Sequence, residues 1–197
     1  LITHNSWKEL NFALGIPKEE DKRLYDEFIA GNMTYSEWNA ILVEKYIQHK
    51  DANRSGIAKI LSRYTYTNGA REAVEYLKNK NYILALISGS TDILVEMVAK
   101  DLGIKYYKAN NKLIFDENDN LQAIHTEDND LKAKKEHLES LARMLGIDIK
   151  ECACVADGAN DIEMFHATGH GITFKGMKIE KDAWKVIETL PDLKNIF

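Results

Sequence analysis

Between residues 5 and 63 the apolar positions recur at helical spacing, and no strand-like stretch interrupts them. In SWKELNFALGI they fall at 7, 10, 12, 13, 14 and 16, and Ser6 with Glu9 three residues on has the pattern of a helix N-cap. Pro17 followed by KEED opens a second helix with acids in its first turn, where the helix dipole favours them. GNMTYSEWNAILVEKYI breaks at a glycine and restarts at Thr-Tyr-Ser-Glu, with apolar positions 38, 41, 42, 46 and 47 on one face. RSGIAKILSRY adds a fourth, shorter helix. Four helices in succession predict a small helical bundle.

From residue 69 the period changes. AREAVEYLKNKN is an amphipathic helix, and YILALIS (82–88) is an apolar strand ending in Ser-Gly. TDILVEMVAKDLGI is a helix stopping at Gly103, KYYKA a short strand, and NKLIFDENDNLQAI two strands around the turn ENDN. LKAKKEHLESLARMLGI is a helix ending at Gly146. CACVA (152–156) is a buried strand of small residues, followed by the helix DIEMFHATG and the segments GITF and AWKVIE. Strands alternating with helices predict an α/β fold, a Rossmann-like parallel sheet with crossover helices. The helical bundle is then an insert near the N-terminus: residues 1–4 and 64–197 form the core and 5–63 the cap. Ligands of such sheets sit outside the carboxyl ends of the strands. Ser88-Gly89-Ser90, Asp157-Gly158 and Asn160-Asp161 fall there, and Lys134, early in a helix, can reach the same edge.

Composition narrows the function classes. The chain has 197 residues, 45% hydrophobic and 29% charged, with a net charge of −5. That balance, with no basic stripe, gives no electrostatic case for nucleic acid. The run ILALI is far shorter than the roughly 20 apolar residues of a membrane span, and residues 1–25 show no secretory signal pattern. Cys152 and Cys154 lie two apart in one predicted strand and read as small core residues of a reducing compartment, so a cytoplasmic location is expected. The sequence leaves the oligomeric state open.

Each polar cluster has two readings when taken alone. Asp157 and Asp161, four residues apart after an apolar strand, suit a hard cation such as Mg²⁺, which takes one or two carboxylates with water and phosphate oxygens. Asp-Gly and Asn-Asp are equally ordinary turn and cap chemistry. Ser88 and Gly89 offer a hydroxyl and backbone N–H groups to a phosphate oxygen, or merely cap the next helix. Lys134 offsets phosphoryl charge, or shares a solvated face with Lys132 and Lys135. The six histidines are scattered singly.

Taken together and in this order, the clusters resemble the haloacid dehalogenase-like phosphatases, in the branch typified by phosphoserine phosphatase. LALISGS resembles that family's second motif, Lys134 its lysine motif, and ADGAND its fourth motif, Gly-Asp-Gly-x-Asn-Asp, apart from Ala156. NGAREAVEYLKNKNY and ANNKLIF also resemble that branch, and 5–63 resembles its cap insert. The resemblance implies hydrolysis of a small phosphorylated metabolite through an aspartyl-phosphate, dependent on Mg²⁺. It implies that Asp157 binds the metal with Asp161 close behind, and that Ser88 and Gly89 hold the phosphate. Lys134 would neutralise the phosphate and the nucleophile, as a catalytic residue, and Asn160 would contact phosphate or substrate.

Two departures shape the expectations. The first motif of the family, Asp-x-Asp-x-Thr, would stand immediately before Leu1; the expectation is a longer protein whose attacking Asp lies on a central strand between 82–88 and 152–156. The cap glutamate and arginine by which phosphoserine phosphatases hold the amino and carboxylate groups match Asn5 and Leu42, so a substrate other than phosphoserine is expected. Trp7, Trp38 and Leu42 would line a more apolar pocket or form the bundle core, the core being favoured. The alternatives are a silent module that keeps the phosphate pocket, phosphoryl transfer to an acceptor other than water, and a receiver-like domain, against which the long helical insert argues.

Overall fold

A computed structural model describes residues 1–126 and 130–197. Four helices come first: α1 (Ser6–Ala13), α2 (Lys18–Ile29), α3 (Tyr35–Tyr46) and α4 (Arg54–Leu61). The expected Thr-Tyr-Ser-Glu start is a capping box, in which the Thr34 hydroxyl accepts from the Glu37 N–H and the Glu37 carboxylate accepts from the Thr34 N–H. At α1 the cap is Asn5 rather than Ser6: its side-chain oxygen accepts from the Lys8 N–H at 3.1 Å. The Ser6 hydroxyl is used elsewhere, as described below.

The α/β part follows as α5 (Ala70–Asn79), β1 (Ala85–Thr91), α6 (Asp92–Asp101), β2 (Tyr106–Phe115), β3 (Leu121–Thr126), α7 (Asp130–Leu145), β4 (Cys154–Val155), α8 (Ile162–Thr168), β5 (Gly171–Phe174) and β6 (Lys185–Ile187). Strand β1 starts three residues later than its apolar run and continues past Ser88, because its limits are set by parallel pairing with β2: Ala85 opposite Tyr106, Ser88 opposite Ala109, Thr91 opposite Asn111, with a register shift between Ser88 and Thr91. KYYKA and NKLIF are one continuous strand, which turns back as an antiparallel hairpin onto β3.

The strands form two three-stranded groups, β1-β2-β3 and β4-β5-β6, parallel except at the β2–β3 hairpin. No ladder joins β1 to β4 among the described residues. Side chains do the joining instead. Ile87 of β1 packs with Cys152, Cys154 and Ala156 around β4 and with Leu138 of α7. Leu1 and Tyr66 belong to both of the other apolar clusters. The run CACVA is less enclosed than its composition suggests: Cys154 is buried, but Val155 is 38% exposed.

The helices of 5–63 share one core with the α/β part. Leu10, Leu14, Leu24, Leu42 and Tyr46 sit in the same cluster as Leu94, Val98, Leu113 and Leu121. The contact is also polar: Leu121 N–H donates to the Ala52 carbonyl and Arg54 N–H to the Asp119 carbonyl, both at 2.9 Å, while the Arg54 guanidinium lies over Phe115.

Candidate active site

Asp157 lies two residues beyond β4, Ala159–Asp161 make a single 3-10 turn, and α8 begins at Ile162. Asp161 is buried, and both of its oxygens are engaged. One accepts from Lys134 Nζ at 2.7 Å and the other from the Gly158 N–H at 3.2 Å. Lys134, early in α7, is only 7% exposed, so it does not belong to a solvated lysine face. Burial pushes the Asp161 carboxyl above the ordinary carboxylate range. The Lys134 ammonium and the Gly158 N–H oppose that rise, and the Asp157 charge adds to it. Asp157 itself is exposed.

Gly158 has an ordinary extended backbone, φ −111° and ψ 152°. It serves closeness rather than turning: a Cβ there would stand 2.7 Å from Asn160 Oδ1 and 3.2 Å from Asp161 Oδ2. Only a glycine lets these two side chains fold back over the turn. Asn160 is half-buried.

Ser88 and Gly89 lie within β1, at its register shift, not at its end. The Ser90 N–H donates to Ser88 Oγ at 3.2 Å. The Gly89 carbonyl accepts twice, from Trp7 Nε1 at 3.2 Å and from Asn111 Nδ2 at 2.8 Å. The Ser6 and Ser90 hydroxyls are 2.8 Å apart. α1 is thus tied to the β1 bulge at two points.

Among the expected groups, hydrogen bonds join Lys134, Asp161 and Gly158, with Asn160 folded over the same turn. Ile87, the neighbour of Ser88 in β1, packs in one apolar cluster with Ala156, Ile162 and Leu138 around that turn. Sequence reasoning missed Ser6, Trp7 as a hydrogen-bond donor, Asn111 and Thr126. The available signal was Asn110-Asn111 in mid-strand, where alternation must bury one of the two amides.

The positions chosen for substrate choice divide. Leu42 is 3% exposed in the helical core, and Asn5 caps α1. Trp38 stacks among Tyr25, Phe28 and Tyr35, with ring centroids 6.3, 5.1 and 6.0 Å away. Trp7 is bonded through its indole N–H to the Gly89 carbonyl of β1. A cavity of about 130 Å³ is bounded by Ile2, His4, Ser6, Glu9, Arg63 and Tyr64, among others.

The model of the haloacid dehalogenase-like hydrolase family matches residues 2–169. The chain belongs to that family. Within it, the chain is 31% identical over 196 residues to a phosphoserine phosphatase of Methanocaldococcus jannaschii, covering 100% of this chain and 90% of that protein. A phosphoserine phosphatase of Streptococcus thermophilus is 30% identical over 148 residues, 68% of this chain and 67% of that one. Among solved structures, a substrate-bound phosphoserine phosphatase superposes with a TM-score of 0.78 at 31% identity, covering 99% of this chain and 92% of the other. One described as a phospho-aspartyl intermediate analogue of phosphoserine phosphatase gives 0.77 at the same identity, covering 99% and 93%. The α/β fold is therefore that of the haloacid dehalogenase-like hydrolases, in the branch of the phosphoserine phosphatases. Among the described residues no helix is long and apolar enough to cross a membrane.

Proposed function

We propose that the chain is the body of a Mg²⁺-dependent phosphatase acting on a small phosphomonoester through an aspartyl-phosphate. The observation that carries this reading is the buried Lys134–Asp161 pair standing directly behind the exposed Asp157. A cation and an acid held in place with little water around them suit a site that must manage phosphoryl charge. In this reading Ser88 Oγ and the Gly89 N–H hold phosphoryl oxygens, and Asn160 contacts phosphate or substrate. Lys134 offsets the phosphoryl charge.

The attacking carboxylate is the one the family resemblance calls for, the first Asp of the Asp-x-Asp-x-Thr motif. The carboxylate oxygen would bond to phosphorus as the ester oxygen leaves, taking a proton from a second Asp. That Asp then removes a proton from water, whose oxygen displaces the aspartyl carboxylate and releases phosphate. The relative solved as a phospho-aspartyl analogue supports this course.

The donors fit Mg²⁺. The exposed Asp157 carboxylate would supply hard oxygen, while Asp161, with both oxygens hydrogen-bonded, fixes the turn. Among the described residues no three His, Cys, Asp or Glu side chains are grouped so as to hold a metal ion by themselves. Mg²⁺ keeps several waters and takes phosphate oxygens beside one or two carboxylates. When bound, it would shield the nucleophile from the charge of the phosphate.

Residues 5–63 are proposed as the cap, which the ties from Ser6 and Trp7 to the β1 bulge support. The expectation of a substrate other than phosphoserine rested on Asn5 and Leu42. Their places as helix cap and core residue remove much of its basis, and the phosphoserine phosphatase relatives favour phosphoserine as the substrate. Two free cysteines support a reducing, cytoplasmic setting.

The test uses the full-length gene product. It is expected to hydrolyse p-nitrophenyl phosphate and phosphoserine with Mg²⁺ and to lose turnover when the metal is chelated. Asp157→Asn should lower the rate by about 100-fold or more, a loss typical of weakened charge stabilisation at a reacting centre. Turnover that ignores both chelation and the substitution would refute the assignment.

A further inference from the structure

The Gly89–Ser90 peptide is held at both ends. Its oxygen accepts from Trp7 Nε1 on α1 and from Asn111 Nδ2 on β2, at 3.2 and 2.8 Å. Its N–H donates to Ser88 Oγ at 3.2 Å. Asn111 is 0% exposed and is itself fixed, because its Oδ1 accepts from Thr126 Oγ1 at 2.7 Å. The peptide plane therefore cannot rotate without breaking bonds to three elements. Two donors on the carbonyl also polarise the amide and strengthen its N–H as a donor. The consequence falls on Ser88. With an incoming N–H on one side of its oxygen, the hydroxyl must offer its own proton elsewhere, and a serine that is not oriented this way has three rotor positions to choose from.

We infer that Trp7 and Asn111 are positioning residues of the phosphate-binding strand, acting through the Gly89–Ser90 peptide to aim the Ser88 hydroxyl at a phosphoryl oxygen. The inference rests on the phosphatase reading and goes beyond it, since neither residue touches the phosphate. It also gives the tie between α1 and β1 a chemical purpose: the helical segment helps set the donor that binds phosphate.

The experiment measures steady-state hydrolysis of p-nitrophenyl phosphate and its inhibition by inorganic phosphate in the full-length protein. Trp7→Phe keeps the ring and deletes one donor, and Asn111→Leu keeps the volume and deletes the other. Each is expected to weaken phosphate inhibition and to lower kcat by about fivefold, the loss of roughly one net hydrogen bond. In a Ser88→Ala background the same substitutions should change both by less than about twofold, since no hydroxyl remains to be aimed. If Asn111→Leu fails to fold, Trp7→Phe decides alone. A folded Trp7→Phe protein with wild-type phosphate inhibition and kcat would overturn the inference while leaving the phosphatase reading intact. A fivefold effect that persists in the Ser88→Ala background would also overturn it, because it would reveal a purely structural role. A wild-type protein that neither hydrolyses the ester nor binds phosphate would remove both.

Discussion

Asp161 and Lys134 show what a buried charge pair demands. Each ion has lost most of its water, and their contact at 2.7 Å offsets that loss only while both are present. Lys134→Met is therefore expected to destabilise the protein by about 3–5 kcal/mol at neutral pH, read by urea unfolding. The pH dependence follows from the direction of the Asp161 shift. Burial raises its folded-state pKa above the unfolded value, so its ionisation costs the folded state free energy. The associated stability is fully present below the unfolded pKa and is lost as pH rises through the folded one. Removing the lysine raises the folded pKa further. The gap in stability between variant and wild type should therefore narrow as pH falls from about 7 to about 4. A gap that stays constant or widens would contradict this account. The residues of the pair were legible in the sequence because motif order pointed to them. Ser6 and Asn111 were not, because a hydroxyl at a helix start and an amide in a strand reveal their partners only after distant segments meet.

At the scale of the element, helices were read well and strands less so. Capping and stop signals are local: the Thr34–Glu37 box opens α3, and Gly103, Gly146 and Gly169, all at positive φ, follow α6, α7 and α8. Strand limits depend on a partner far along the chain, which is why β1 slid three residues beyond its apolar run and two predicted strands merged into β2. Glycines at two junctions have separable roles. At Gly171 a Cβ would fall 2.1 Å from the Phe165 ring, so the glycine is what lets α8 lie against β5. Gly171→Ala is expected to cost about 1–3 kcal/mol or more by overpacking. At Gly158 the nearest atom is the end of the Asn160 side chain, which can swing away. Gly158→Ala should thus lower phosphatase turnover by about tenfold or more, the scale of a displaced positioning group, with little change in melting temperature. Thermal melts and initial rates measured side by side on the two variants test the contrast; equal loss of stability in both would refute it.

Over the whole molecule, the strands have unequal protection. β2 and β5 are paired on both flanks, whereas β3 and β6, among the described residues, are each paired on one. Amide hydrogen exchange should accordingly be slowest in β2 and β5 and faster in β6, whose opening requires the loss of one short ladder. Protection in β6 equal to that in β5 would contradict this. The α/β architecture was legible from the alternation of elements. The partial exposure of CACVA was not, since its composition makes it look fully enclosed.

The outer flank of β6, which among the described residues pairs only with β5, has a colloidal consequence. It is a short row of amides and carbonyls beside the exposed side chain of Val186. Nothing in that chemistry distinguishes a strand of the same molecule from the flank of a neighbour. Crowding molecules together should therefore promote edge-to-edge zippering at temperatures where an isolated copy stays folded, and a short extended peptide that occupied the flank would act as a stopper against precipitation.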